Sequence, residues 1–175
     1  VFVEIVPSDT IKYEIDKQSG YLKVDRPQQF SNIIPALYGF IPRTYCHDEV
    51  LKLAIESGAE DVETGDLDPL DICVLSERSF NHGNILCDAK VIGGFRMLDG
   101  GEADDKIIAV AAKDPSVNHY HNIEDLPDHF LLELRNFFEQ YKVLENKKVE
   151  ISAETLIGYT NRVKKHSGIL VYRLL

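Results

Sequence analysis

Apolar and polar positions alternate with a two-residue period through much of the first two thirds of the chain. Ile11, Tyr13 and Ile15 stand against Lys12, Glu14 and Asp16, so Ile11–Asp16 predicts a strand with its two faces in different surroundings. Ser19-Gly20 follows as a turn signal and Tyr21–Val24 resumes, which predicts a hairpin. Val1–Val6, Leu70–Leu75, Asn84–Met97 with an interruption at Gly93-Gly94, and Lys106–Ala112 predict further strands. The period then changes. Over Leu126–Leu144 the residues Phe130, Leu134, Phe137, Phe138 and Tyr141 recur at helical spacing, with Pro127 and Asp128 in the first turn. Ser152–Lys165 predicts a second late helix, capped by Ser152 with Gly168 beyond its end, and Asp48–Ser57 a short earlier one. No repeat, low-complexity tract or linker divides the chain, so residues 1–175 are expected to form one domain. Strands first and helices last imply an α+β, mainly β fold: a closed or partly closed barrel with helices packed outside, two of them C-terminal. The apolar tail Ile169–Leu175 is expected to pack on something such as a neighbouring subunit.

Composition narrows the function classes. A net charge of −10 argues against a general nucleic-acid binder, which needs a basic face to displace counterions from phosphate. Cys46, Cys73 and Cys87 form no C-x-x-C pair, which points to a reducing compartment and no zinc knuckle. No apolar run approaches the roughly 20 residues of a membrane span, and the first residues carry no basic or cleavage signature, so a cytoplasmic protein is expected.

The densest chemistry lies in Asp66-Leu67-Asp68-Pro69-Leu70-Asp71, immediately before the apolar run Ile72–Leu75. In an extended chain Asp66 and Asp68 point to one side, and Pro69 favours a bend that swings Asp71 toward them. Carboxylates crowded this way repel and raise one another's pKa unless a cation sits among them, and an all-oxygen donor set suits Mg²⁺, Mn²⁺ or Ca²⁺. A solvated acidic turn is the plain alternative. A helix-flanked calcium loop fits poorly, because Asp71 stands at its sixth position, where a glycine makes the sharp turn, and Pro69 at its fourth.

Other charges have ordinary explanations one by one. Lys12 and Glu14 share a strand face; Arg26 follows the next strand; Asp99 and Asp104 bracket the glycine-containing loop before Lys106; Tyr141 and Lys142 close a helix. As a set, carboxylates with several cations and tyrosines fit an anionic, metal-bound ligand such as phosphate. His119-x-His121 lacks a third nitrogen or sulfur ligand, and no P-loop glycine-lysine element is present.

On these segments the chain resembles the soluble family I inorganic pyrophosphatases. The likeness is carried in order by Val3-Glu4-Ile5, Ile11–Asp16, Val24-Asp25-Arg26, Tyr38-Gly39-Phe40-Ile41-Pro42, Asp66–Asp71, Asp99 through Lys106, and Phe137–Lys142. It implies a five-stranded, OB-like closed barrel with flanking helices, and Mg²⁺-dependent hydrolysis of pyrophosphate to two phosphates by in-line attack of a metal-activated water. Asp66, Asp71 and Asp104 would hold the first metal, with Asp71 also touching a second. Asp99 and Asp104 would hold a metal arriving with substrate, and Glu14 with Glu4 a further metal or its water shell. Asp68 would contact the attacking water. Lys12, Arg26, Tyr38, Lys106, Tyr141 and Lys142 would contact phosphate. Several Mg²⁺ ions per site are implied, with Mn²⁺ as a substitute and Ca²⁺ as an inhibitor, in a homo-oligomer (hexameric in bacteria, dimeric in many eukaryotes). The chain departs from the family pattern at Ile34 and Leu37, where a tyrosine and an asparagine are usual, and its Cys46–Gly65 connection is longer than in short bacterial members. A metal-dependent nucleotide phosphohydrolase and a non-catalytic metal-binding barrel are the competing expectations.

Overall fold

The computed structural model describes residues 1–29, 32–141 and 149–155, the last segment by its backbone. In chain order the elements are β1 (Phe2–Ile5), β2 (Ile11–Ile15), β3 (Leu22–Pro27), β4 (Leu37–Phe40), α1 (Asp48–Glu56), β5 (Thr64–Gly65), β6 (Asp71–Leu75), β7 (Ile85–Leu86), β8 (Ala89–Asp99), β9 (Glu102–Ala103), β10 (Lys106–Ala111), a single 3-10 turn at Ile123–Asp125, α2 (Asp128–Gln140) and β11 (Val149–Thr155). The fold is mainly β with two α-helices among the described residues.

The β2–β3 hairpin forms where alternation predicts it, with Gly20 at φ 73 in the turn. It is a separate two-stranded sheet; the other strands join in one sheet, ordered β5-β9-β8-β10-β6-β4-β1-β7 with β11 added on β8. Its centre is the parallel ladder of β6 and β10, where Asp71 lies opposite Lys106 and Cys73 opposite Ile108. Antiparallel β4 flanks β6 and antiparallel β8 flanks β10. β4 approaches β1 so closely that a Cβ at Gly39 would stand 1.9 Å from the Phe2 carbonyl oxygen.

Every residue of β10 is buried, and so are Ile72 through Leu75 of β6. Strands covered on both faces read as continuous apolar runs, not as alternation. One core contains Cys73, Leu75, Phe95, Met97, Ile108 and Val110 with Leu134, Phe137 and Phe138 of α2. The other contains Leu37, Ile72, Val74, Ile107 and Ala109 with Val50 and Ala54 of α1. The two helices therefore cover opposite faces of the central ladder.

The structure corrects three expectations. The segment 149–155 is not the start of a helix: Val149–Thr155 pairs antiparallel with β8 over its whole length, from Val149 opposite Asp99 to Thr155 opposite Gly93. Its sequence alternates Val149, Ile151 and Ala153 with Glu150, Ser152 and Glu154, and strand period outweighs the capping signal of Ser152. The rest of that predicted helix, and the apolar tail, lie outside the described residues. The glycines do not interrupt the long strand, because Gly93 and Gly94 are held in ladders on both sides; the break falls at Cys87-Asp88. Among the described residues the sheet does not close: the path ends at β7 beyond β1, and no ladder joins β1 to β8 or β11. A closed five-stranded barrel is thus not what the hydrogen bonding forms.

Leu134 is fully buried between α2 and the sheet. Leu134→Ala should lower unfolding free energy by about 2–5 kcal/mol, read from urea titration followed by circular dichroism.

Candidate active site

The acidic loop is fixed through its backbone. The Cys46 N–H donates to the Asp68 carbonyl at 2.8 Å, and the Leu67 N–H donates to the Cys46 carbonyl at 2.9 Å. The Ile41 N–H bonds the Leu70 carbonyl at 2.9 Å, while the Thr44 hydroxyl accepts from the Leu70 N–H, also at 2.9 Å. A Cβ at Gly65 would fall 2.5 Å from the Cys46 carbonyl oxygen, so the strand entering the loop passes against Cys46 only as glycine. Leu67 takes φ 63, a left-handed conformation that turns the chain between Asp66 and Asp68. The Asp66 carboxylate accepts the Asp68 N–H at 3.0 Å, an Asx turn.

This loop carries Asp66 and Asp71 to the start of the central ladder. One ligand atom from each of Asp66, Asp71 and Asp104 lies within 4.8 Å of the other two. Lys106, whose side chain is 2% exposed, donates to both Asp71 and Asp104, and the Tyr38 hydroxyl donates to Asp71. These groups open into a cavity of about 270 Å³. Its lining contains Glu4, Lys12, Glu14, Tyr38, Asp66, Asp68, Asp71, Asp99, Asp104, Lys106 and Tyr141. The hairpin is tied across this side of the molecule by Glu4, whose carboxylate accepts the Ile15 N–H at 2.7 Å. On it, Lys12 is paired with Glu14 and with Asp25, the latter at 3.2 Å.

Burial dominates the electrostatics. It pushes the Asp66 carboxyl up to about 7, helped by the neighbouring Asp104 charge, and the Glu4 carboxyl also up to about 7. Asp71 is raised by burial despite the Lys106 ammonium. For Lys106 itself burial opposes the charge, but Asp104 and Asp71 prevail and hold the group well above the ordinary lysine range. Burial and the Asp71 charge keep the Tyr38 phenol protonated far beyond neutrality. The set suits a divalent cation: three convergent oxygen donors, two of them (Asp66 and Asp71) with carboxyl pKa values raised by burial, and the one ammonium that bonds into the cluster among the described residues, Lys106, already shared between two of them.

Eleven of the residues singled out by sequence therefore border one cavity. Arg26 does not line it; it lies opposite Lys12 across the hairpin and faces Asp25 at 3.8 Å. Lys142 lies outside the described residues. Lys17, Gln28 and Glu102 line the cavity without having been anticipated, and Lys17 is ion-paired to Asp68. Of these, Lys17 falls two residues past the end of β2, where a hairpin lysine ordinarily reads as solvated. Ile34 is in the cavity wall, whereas Leu37 is packed in the core beneath α1.

A mainly β sheet that converges acidic side chains and a buried lysine on one cavity defines an acidic, oxygen-donor site of the kind that binds divalent cations. A family model described as inorganic pyrophosphatase matches residues 1–163. The chain is 50% identical over 141 residues to an inorganic pyrophosphatase of Chlamydia caviae, covering 81% of this chain and 65% of that protein. It is 42% identical over 153 residues to a soluble inorganic pyrophosphatase of Zea mays, covering 87% of this chain and 63% of that one. The chain thus spans somewhat under two thirds of these two relatives' length. An inorganic pyrophosphatase structure from Helicobacter pylori superposes with TM-score 0.77 at 34% identity, covering 94% of this chain and 88% of that one. One from Thermus thermophilus superposes with TM-score 0.75 at 30% identity, covering 93% and 85%. The chain belongs to the inorganic pyrophosphatase family.

The raised carboxyls make a signed prediction for the ion-free protein. Asp66 and Glu4 have folded pKa values above their ordinary 3.8 and 4.5, so folding favours their protonated forms. Their contribution is fully present below those ordinary values and is lost as pH rises through about 7. In chelator, Asp66→Asn should flatten the fall of melting temperature across that window, measured by scanning calorimetry at stepped pH.

Proposed function

We propose that this chain hydrolyses pyrophosphate to two phosphates in a magnesium-dependent reaction. The observation that carries the proposal is the convergence of Asp66, Asp71 and Asp104, within 4.8 Å, in a cavity also lined by Lys12, Tyr38, Lys106 and Tyr141. Asp66, Asp71 and Asp104 would hold Mg²⁺, with Asp99, Glu14 and Glu4 available on the same cavity wall for further ions. When bound, the cations reverse the local sign, admit the anion and acidify water.

The chain's own groups supply the rest. Asp68 is exposed at the cavity edge and positioned by an Asx turn, so its carboxylate is free to orient the attacking water and accept its proton once Lys17 yields. Tyr38, held in its phenol form, would turn its one O–H from Asp71 to a phosphate oxygen once a cation takes that carboxylate, and Tyr141 presents a second hydroxyl. Lys12 and Lys106 stabilise the charge that develops on the departing phosphate. Arg26 and Lys142 are proposed to join them on substrate, on the family resemblance alone. Attack in line requires no covalent enzyme intermediate. We further propose one pyrophosphatase domain acting in the cytoplasm as a homo-oligomer, either a dimer or a hexamer, which sedimentation equilibrium distinguishes.

Phosphate release measured colorimetrically should require Mg²⁺, proceed with Mn²⁺, fail with Ca²⁺ or chelator, and be far faster on pyrophosphate than on ATP. Equal turnover of ATP would make the chain a nucleotide phosphohydrolase. Asp68→Asn should cut turnover by about 10²-fold or more with the circular dichroism spectrum unchanged. Undiminished turnover in that variant would remove Asp68 from the mechanism.

A further inference from the structure

Asp105 stands between two cavity-lining residues, Asp104 and Lys106, yet does not line the cavity itself. Its carboxylate is instead held by Arg96 of β8. The Arg96 Nε and Nη2 atoms donate to the two Asp105 oxygens at 3.2 Å each, and Nη1 donates to the Leu53 carbonyl at 2.9 Å. Both side chains are buried, Arg96 at 6% and Asp105 at 3% exposure. Leu53 lies in the last turn of α1, which has no basic residue of its own there, so the guanidinium meets the negative end of that helix.

The segment 46–65 that contains α1 touches both halves of the acidic cluster. Cys46 hydrogen-bonds the backbone of Leu67 and Asp68 on one side. On the other its thiol donates to the Ala103 carbonyl at 3.1 Å, and Gly65 pairs with Ala103, the residue before Asp104. The loop bearing Asp66 and the strand end bearing Asp104 are thus joined through this segment, and Arg96 clamps its helix to Asp105. Buried ion pairs contribute little net stability over apolar replacements, so a forked pair in this place is better explained by the geometry it holds.

We propose that Arg96 and Asp105 form a positioning pair that sets the separation of Asp66 from Asp104, and thereby the affinity of the site for divalent cations. The inference rests on the cation-binding reading of that cluster. Its test is binding of Mn²⁺ alone, without substrate, followed by the electron paramagnetic resonance signal of free Mn²⁺. Arg96→Met with Asp105→Leu removes both charges at once and should weaken Mn²⁺ binding about tenfold or more, the scale of losses on removing groups that orient metal ligands. Arg96→Lys, which keeps the charge without the fork, should weaken it less. Ser76→Ala, which removes a hydrogen bond to the buried Asp114 at the far end of β6, should lower melting temperature without moving Mn²⁺ affinity. Native affinity in folded Arg96→Lys and in the double variant would overturn the proposal, as would equal weakening in Ser76→Ala. If the double variant does not fold, Arg96→Lys decides. A native chain that binds no Mn²⁺ would overturn the cation reading, and this inference with it.

Discussion

The site depends on one buried cation. Lys106 lies at the start of the central parallel ladder with Asp71 opposite it and Asp104 two residues before it, and it bonds both carboxylates. Two half-hidden or buried acids this close repel strongly, and an unpaired ammonium at this depth would be lost as a charge. Each makes the other tolerable. The rest of the site is organised around that compensation: Tyr38 donates to Asp71 from the adjacent strand, and Asp66, which Lys106 does not bond, carries the more evident cost in its raised pKa.

The same arrangement explains why the cluster is receptive to a divalent cation. One ammonium shared between two carboxylates leaves a net negative centre, to which Asp66 adds a third donor. The surrounding structure fixes the backbone of the loop that carries Asp66 and Asp71. Cys46, Thr44 and Ile41 hold the acidic loop by main-chain contacts, and the close pass at Gly65 leaves no room for a side chain. Preorganisation of this kind moves the cost of crowding like charges into folding, where packing on both faces of the sheet offsets it.

Much of this was legible in the sequence, for identifiable reasons. The Asp-Leu-Asp-Pro-Leu-Asp spacing marked the loop, strict alternation marked the β2–β3 hairpin, and helical spacing of Phe130 through Phe138 marked α2 within a few residues. Residues 149–155 misled because a single serine resembled a cap while a short alternating strand is a weak signal. Lys17 was missed because a hairpin lysine has the same local pattern whether it faces water or reaches across to Asp68. Arg96 and Asp105 gave no signal, since buried charges on neighbouring strands look solvated until the ladder that joins β8 to β10 is known. The open sheet path was equally hidden, because closure depends on register between strands distant in sequence.

The parallel pairing of β6 with β10 carries a kinetic consequence. Parallel neighbours need a long crossover, and Asp71 and Lys106 are 35 residues apart in the chain. Bringing them together costs loop-closure entropy before the ladder repays it, which places this pairing late in assembly. A nascent or half-folded chain therefore displays acidic side chains but no ion-sized nest among them. Maturation of the acidic nest is thus timed by the topology of the sheet and not by the acidic loop alone.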